Sequence, residues 1–225
     1  MLDRHPDILA LGELQILPRL ISDFSRPPDA QELVILGKQY LESLPAEARH
    51  SPLVLDKMPE NFWRLGHITG MFPAAKIIHC RRDLRDVALS NFFNLYAKGN
   101  SFAYSLADLA HYSACHQAVM QHWRSKMGAQ IFQVDYAKLV KEPDASMTAM
   151  LAFLGRHWRD AKPNDSPQKS RRIKTASNWQ VRQKIYTSSV DRWKNYPQLA
   201  ETFMSHYAGC RERIERMLGI DIGSV

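Results

Sequence analysis

The sequence predicts an α/β fold in which a central parallel sheet is covered by helices in three layers. Short apolar runs that are typical of buried strands occur at 52–55, 75–80 and 130–134, and they alternate with segments of helical spacing. The chain has 225 residues, of which 45% are hydrophobic and 24% charged, which is a globular composition. Length and composition together predict a single domain over residues 1–225 and exclude a disordered or collagen-like chain.

Apolar spacing and prolines define the predicted helices between these runs. The N-terminal stretch to residue 50 is predicted to be helical, with a break at Pro18 and a second helix that Asp29 caps and Pro45 ends. Further helical segments are predicted at 60–72, 84–97, 104–127, 142–154 and 198–218. The polar stretch 159–178 interrupts the alternation and is predicted to be a long loop.

Composition also limits the location and the partners of the protein. No apolar run of about eighteen residues is present, which excludes a transmembrane helix, and the first residues lack the pattern of a signal peptide. Three widely spaced cysteines give neither a disulfide framework nor a zinc ribbon, so a cytoplasmic protein without a metal is expected. The net charge of +7 indicates an anionic partner, which on charge alone is either nucleic acid or a phosphorylated small molecule.

The first candidate site follows the predicted strand at 75–80. Arg82 lies at the strand end, and Ser90 lies two turns along the next helix. Ligands of open α/β sheets bind beyond the carboxyl ends of strands, where a guanidinium and a hydroxyl suit a phosphate. The alternative is that Arg82 belongs to a solvated cluster of ion pairs at a helix start.

Two further candidates lie earlier in the chain. Lys57 directly follows the first predicted strand, so its ammonium is expected at the same sheet edge, unless it is an exposed lysine in a turn. Glu13 is an acid within an apolar run, a setting that often raises the pKa of a carboxyl and suits a general base. The alternative for Glu13 is an acid on the surface of a helix.

The segment 168–194 is strongly basic. It contains eight cationic residues against one acid, with Trp179, Tyr186 and Trp193 between them. Basic and aromatic side chains together suit a nucleotide or a nucleic-acid strand. A basic surface loop is the alternative.

These signals together resemble one known family, the sulfotransferases that use 3′-phosphoadenosine 5′-phosphosulfate (PAPS). The similarity is greatest to bacterial proteins that join TPR repeats to a sulfotransferase domain and, through them, to tyrosylprotein sulfotransferases. It runs from about Leu9 to Trp193 and rests on GEL at 12–14, DKMPENFWRLGHI at 56–68, FPAAKIIHCRRDLRDVALSNFF at 72–93, HWRSKMGAQIFQVDYAKLV at 122–140 and TASNWQVRQKIYTSSVDRW at 175–193. The resemblance implies the P-loop nucleotide-kinase-like sulfotransferase fold, with PAPS as co-substrate and no metal or nucleic acid.

The resemblance also implies a role for each matching residue. Glu13 corresponds to the general base, and Lys57 corresponds to the lysine near the transferred sulfuryl group. The residues implied to bind the nucleotide are Arg82, Ser90, Tyr136, Ser177, Gln180, Arg182 and Arg192. Related tyrosylprotein enzymes carry a lysine at the place of Arg192, and arginine and lysine differ in geometry although they share a charge.

One family element has no counterpart in the sequence. The family begins with a strand and a Pro-x-Ser-Gly-Thr-[Ser/Thr]-Leu loop that wraps the 5′-phosphosulfate, and the resemblance implies that this loop and the first strand are missing. Two functions are therefore expected. The first is transfer of a sulfuryl group to the hydroxyl of a protein tyrosine, a carbohydrate or a small molecule. The second is that of an inactive truncated remnant, a module that binds a nucleotide or another protein.

Overall fold

A computed structural model of the protein describes residues 1–21, 26–97, 99–157 and 189–222. The described residues form two compact units. The first comprises residues 1–77 and 147–157, and the second comprises residues 78–146 and 189–222. The loop predicted at 159–178 lies outside the described residues.

The first unit is built on two parallel strands, β1 (Ile8–Gly12) and β2 (Leu53–Asp56). Gly12 lies opposite Asp56, after an irregularity in the pairing that begins at Ala10. The φ angle of Gly12 is 74°, a conformation that glycine adopts at low cost because it has no Cβ. The carboxyl ends of the two strands therefore lie side by side.

The strand β1 shows that the helix predicted for this part of the chain is wrong. Ile8–Gly12 is a short apolar run, and periodicity alone does not separate such a run from a buried helix. Pairing with the distant strand β2 satisfies its backbone groups and so decides its conformation. Pro18 does not interrupt a helix either, because it lies in the first turn of α1 (Ile16–Ile21), where a backbone N–H needs no acceptor in the helix.

The other helices of the first unit follow the sequence prediction closely. Helix α2 (Ala30–Glu42) begins at Asp29, whose carboxylate accepts a hydrogen bond of 2.9 Å from the Glu32 amide, while the Glu32 side chain accepts one from the Asp29 amide. This reciprocal capping confirms Asp29 as the N-cap. A 3-10 helix (Pro59–Arg64) leads into α3 (Leu65–Met71). The buried core of the unit is formed by Leu17, Leu36, Tyr40, Leu44, Ala48 and Met71.

The second unit contains the other pair of strands, β3 (Ile77–Arg81) and β4 (Ile131–Asp135). The helices that follow along the chain are α4 (Leu84–Phe92), α5 (Leu106–Met127), α6 (Tyr136–Lys141), α7 (Pro143–Phe153) and α8 (Pro197–Leu218). Residues 147–153 of α7 belong to the first unit, and the other four helices belong to the second. Helices therefore follow strands as the sequence predicts, and the α/β fold class is confirmed.

Packing of α5 against α8 forms most of the core of the second unit. Ala110 and Ala114 are fully buried on α5, and their small side chains leave room for the buried rings of Phe203 and Tyr207 on α8. Each fully buried ring of this size contributes roughly 1.5–3 kcal/mol through removal of apolar surface from water. Helix α8 ends at Gly219, whose φ of 61° matches the left-handed ending that glycine favours.

Helix α4 is shorter than predicted. It ends at Phe92 rather than at residue 97, and Leu95 beyond it is 87% exposed. An exposed leucine has no apolar partner to hold another helical turn against the core, which accounts for the earlier end. Among the residues that the structure describes, no helix is both long enough and apolar enough to cross a membrane.

Candidate active site

The carboxyl ends of β1 and β2 bring two predicted site residues together. Glu13 follows Gly12 and Lys57 follows Asp56, and these two preceding residues lie opposite each other in the strand pair. The Lys57 amide also donates a hydrogen bond of 2.9 Å to the Gly12 carbonyl oxygen. Both side chains therefore emerge at one edge, as expected for the ends of neighbouring parallel strands.

The side chains of Glu13 and Lys57 form an ion pair through Oε1 and Nζ. The Glu13 side chain is 23% exposed and that of Lys57 is 58% exposed. Glu13 therefore lies at a strand end rather than on a helix surface, and an ammonium faces its carboxylate. An ion pair with this exposure contributes at most about 1 kcal/mol to stability, so the fold does not depend on it and a ligand has access to Lys57.

Tyr40, which is buried, and Asp56, which is half-buried, form a hydrogen bond at the end of β2. The Tyr40 hydroxyl donates this bond of 2.7 Å to Oδ2 of Asp56, while Oδ1 of Asp56 is buried and has no hydrogen-bond partner among the described residues. Burial raises the pKa of Asp56 and of Tyr40. This hydrogen bond thus joins α2 to the end of β2, directly before Lys57. Sequence reasoning gave Asp56 no role, although an acid directly after an apolar strand was a usable signal.

At the second strand pair, Arg82 and Tyr136 come into contact. Arg82 follows β3 and Tyr136 follows β4, and the Arg82 guanidinium lies 5.2 Å from the centre of the Tyr136 ring. Its Nη2 donates a hydrogen bond of 2.5 Å to the Ser189 carbonyl oxygen. Its Nε is buried and has no hydrogen-bond acceptor among the described residues. A buried donor without an acceptor at a strand end is a suitable contact for an anionic oxygen.

An acid that sequence reasoning did not single out, Asp86, lies beside Arg82. Asp86 is 3% exposed on α4, and its carboxylate accepts hydrogen bonds of 2.9 Å from the amides of Asp191 and Trp193. On the same helix, the Arg85 guanidinium lies 3.7 Å from the centre of the Trp193 ring. The charged residues at 81–86 are therefore only partly a solvated surface, because Asp86 is buried and Arg82 is half-buried.

The structure gives less information about the other residues that are predicted to bind the nucleotide. Ser90 is exposed on α4. The Arg192 guanidinium lies 5.7 Å from the centre of the Phe93 ring. Ser177, Gln180 and Arg182 lie outside the described residues. The structure thus joins Glu13 with Lys57 in the first unit and Arg82 with Tyr136 in the second.

A cysteine and a histidine lie close together on α5. The Cys115 thiol lies 3.7 Å from Nε2 of His111, one helical turn away on α5. Burial raises the pKa of this thiol, and the neighbouring Cys210 adds to the effect. Within residues 1–21, 26–97, 99–157 and 189–222, no group of three or more His, Cys, Asp or Glu side chains is arranged to hold a metal ion.

Comparisons with known proteins agree with the resemblance seen in the sequence. A family model described as the sulfotransferase family matches residues 1–160. An uncharacterized protein of Aquifex aeolicus (strain VF5) is 31% identical over 216 residues, which cover 87% of this chain, and the chain spans 28% of the length of that relative.

Two solved structures share the fold. The sulfotransferase domain from the Synechococcus PCC 7002 olefin synthase superposes with a TM-score of 0.53 at 20% identity, over 85% of this chain and 83% of that domain. The sulfotransferase domain from the curacin biosynthetic pathway gives a TM-score of 0.50 at 20% identity, over 80% of this chain and 67% of that one.

Proposed function

The chain belongs to the sulfotransferase family, and from this premise we propose that it transfers a sulfuryl group from PAPS to an acceptor hydroxyl. The observation that carries the proposal is the contact of Glu13 with Lys57 at the ends of two parallel strands. A carboxylate and an ammonium at one accessible edge are the base and the cation that such a displacement requires.

The proposed reaction is an in-line displacement at sulfur. The acceptor oxygen forms a bond to sulfur while the bond from sulfur to the phosphate oxygen breaks, and adenosine 3′,5′-bisphosphate leaves. Glu13 takes the proton of the acceptor hydroxyl, and Lys57 stabilises the negative charge that develops on the departing oxygen. Positioning and electrostatic stabilisation therefore supply most of the catalysis, as in phosphoryl transfer.

The ion pair holds the proposed base and the proposed cation side by side before substrate binds. Oε1 of Glu13 contacts Nζ of Lys57 at the strand ends. The greater exposure of Lys57 lets its ammonium contact an incoming anionic donor without leaving the edge. The two proposed roles thus require rotation of side chains and no change in the strands.

The nucleotide part of the donor is assigned to the second unit. Arg82 offers its buried Nε, which lacks an acceptor among the described residues, to the 3′-phosphate. Tyr136 lies against the same guanidinium, and Ser90 and Arg192 complete the described part of the proposed nucleotide site. The family resemblance adds Ser177, Gln180 and Arg182 to this proposal.

The acceptor and the cellular location are also proposals. A protein tyrosine, a carbohydrate and a small molecule all carry a hydroxyl that Glu13 can deprotonate, so all three classes belong in the assay. Cys80, Cys115 and Cys210 are free thiols, which supports a reducing compartment such as the cytoplasm.

Calorimetric titration with adenosine 3′,5′-bisphosphate tests the nucleotide part of the proposal, with adenosine 5′-phosphate as the matched control. We expect saturable binding of the bisphosphate and much weaker binding of the control, because Arg82 is assigned to the 3′-phosphate. Transfer is then tested by mass spectrometry on acceptors of the three classes. Binding without transfer to any acceptor would favour a module that binds nucleotide only, and absence of both would overturn the proposed function.

A further inference from the structure

We infer that Asp86 is a positioning residue that holds Arg82 and the segment 189–195 in place for an anionic nucleotide. The inference rests on the proposed function and deepens it, because it adds a residue that neither contacts the donor nor takes part in the transfer. It is carried by hydrogen bonds that join α4 to a segment distant in sequence.

The carboxylate of Asp86 is fully engaged by the segment. Its Oδ2 accepts from the Asp191 amide and its Oδ1 accepts from the Trp193 amide, both at 2.9 Å. The Arg82 Nη2 lies 3.8 Å from Oδ2. A carboxylate that is 3% exposed would carry a large desolvation cost without such partners, so the segment and the acid depend on each other.

The two amides lie at the start of a short 3-10 helix, Arg192–Asn195. Asp191 precedes this helix with a φ of 61°, and its own side chain makes no capping hydrogen bond. The amides at a helix start have no acceptor within the helix, and here a side chain from α4 supplies it. Because Asp191 and Trp193 are both bonded to Asp86, the backbone of Arg192 between them is held on either side.

Arg82 is held through the same segment. Its Nη2 donates to the Ser189 carbonyl oxygen at 2.5 Å, and Asp86 lies on the same side of the guanidinium. These contacts leave the buried Nε of Arg82 without an acceptor among the described residues. Asp86 therefore aligns Arg82 while it leaves one donor for a phosphate oxygen.

The direction in which neutralisation of Asp86 changes the affinity for an anion separates positioning from simple electrostatics. Asp86 is an acid beside Arg82, so on charge alone its neutralisation should strengthen the binding of an anion. If Asp86 positions Arg82 and Arg192, its neutralisation should weaken binding instead. An asparagine has nearly the same shape but replaces one of the two carboxylate oxygens by an NH2 donor, so one of the two amides loses its acceptor.

The test is calorimetric titration of adenosine 3′,5′-bisphosphate into the wild-type protein, Asp86→Asn and the control Asp108→Asn, which removes an exposed acid of the same unit. We expect binding by Asp86→Asn to be weaker by roughly tenfold or more and binding by the control to stay within about twofold. Equal or tighter binding by a folded Asp86→Asn would overturn the inference. A double-mutant cycle with Arg192→Ala should show non-additive losses, and additive losses would also count against positioning.

Hydrogen exchange in the absence of nucleotide keeps the test independent of the proposed function. The amides of Asp191 and Trp193 should exchange slowly in the wild-type protein and faster in Asp86→Asn. Fast exchange of both amides in the wild-type protein would overturn the inference even if the variant fails to fold. Slow exchange together with no nucleotide binding would instead overturn the proposed function, and with it the role of Asp86 in binding, while the anchoring of the segment would stand.

Discussion

The carboxylate of Glu13 and the ammonium of Lys57 form an ion pair at the carboxyl ends of two neighbouring parallel strands. The pairing of Gly12 with Asp56 one residue earlier fixes where both side chains emerge. The proposed base and the proposed stabilising cation are therefore in contact without any substrate, so each can be tested by substitution.

Replacement of the base should abolish turnover and leave nucleotide binding intact. In Glu13→Gln we expect the transfer rate to fall by roughly 10²- to 10⁴-fold, because an amide cannot accept the proton of the acceptor. Calorimetry with adenosine 3′,5′-bisphosphate should give about the wild-type affinity, because Glu13 is assigned to the acceptor hydroxyl and not to the nucleotide. A transfer rate close to that of the wild-type enzyme would remove Glu13 from the mechanism.

Replacement of Arg82, the arginine at the end of β3, should instead weaken the binding of the nucleotide. In Arg82→Ala we expect the affinity for adenosine 3′,5′-bisphosphate to fall roughly 10- to 100-fold, because charge-assisted hydrogen bonds to the 3′-phosphate are lost. Arg82→Lys should recover only part of the affinity, because an ammonium lacks the fork of the guanidinium. The exposed Arg213 provides a control, and an equal loss in Arg213→Ala would indicate a general effect of charge.

The hydrogen bond between Tyr40 and Asp56 should contribute to stability. Tyr40→Phe removes the donor to Oδ2 of the half-buried Asp56 carboxylate, so we expect the free energy of unfolding to fall by about 1–3 kcal/mol. Denaturant unfolding followed by circular dichroism measures this change. Tyr196→Phe, at a ring that is 38% exposed, should change the stability little, and an equal loss in both variants would contradict the role of this hydrogen bond.

Two half-buried histidines, His79 and His116, should make the second unit sensitive to acid. The rings of His79 and His116 lie 5.3 Å apart, and burial is the main cause that lowers the pKa of each to about 4 from 6.5. The unfolded chain therefore takes up protons between these values while the folded chain does not, so stability is full above pH 6.5 and falls as the pH drops toward 4.

The matched variants for this acid sensitivity are His79→Asn and His50→Asn. His79→Asn removes a half-buried ring that titrates. It should reduce the dependence of the unfolding free energy on pH between 6.5 and about 4. The second removes an exposed histidine and should leave the dependence unchanged. The measurement is denaturant unfolding at a series of pH values, and an unchanged slope in His79→Asn would contradict the assignment.

Local signals in the sequence predicted the elements that depend on local interactions. Asp29 with Glu32 defines the start of α2 through a capping box, and both partners lie within one helical turn. The apolar run of β1 fits a strand or a buried helix equally well, so its own residues do not decide its conformation. The partner that decides it, β2, is distant in sequence.

The same distinction explains which positions of the proposed site residues the sequence indicates. Lys57 and Arg82 follow predicted strands, so their positions at strand ends follow from the order of elements. Glu13 is indicated by its apolar run and its motif, whereas its place at the end of β1 depends on pairing with β2. Asp86 has its role only through the amides of Asp191 and Trp193, which are distant in sequence. No spacing rule within α4 predicts such contacts.

The measurement that tests the central claim most directly is transfer of a radiolabelled sulfuryl group from PAPS by the purified protein, with Glu13→Gln assayed in parallel. The account predicts label on a hydroxyl acceptor together with stoichiometric release of adenosine 3′,5′-bisphosphate in the wild-type reaction, and a strong loss of both in the variant. Release at the same rate from both proteins would contradict the assignment of Glu13 as the base. No label on any acceptor class, with no nucleotide released, would contradict the claim that this chain is a PAPS-dependent sulfotransferase.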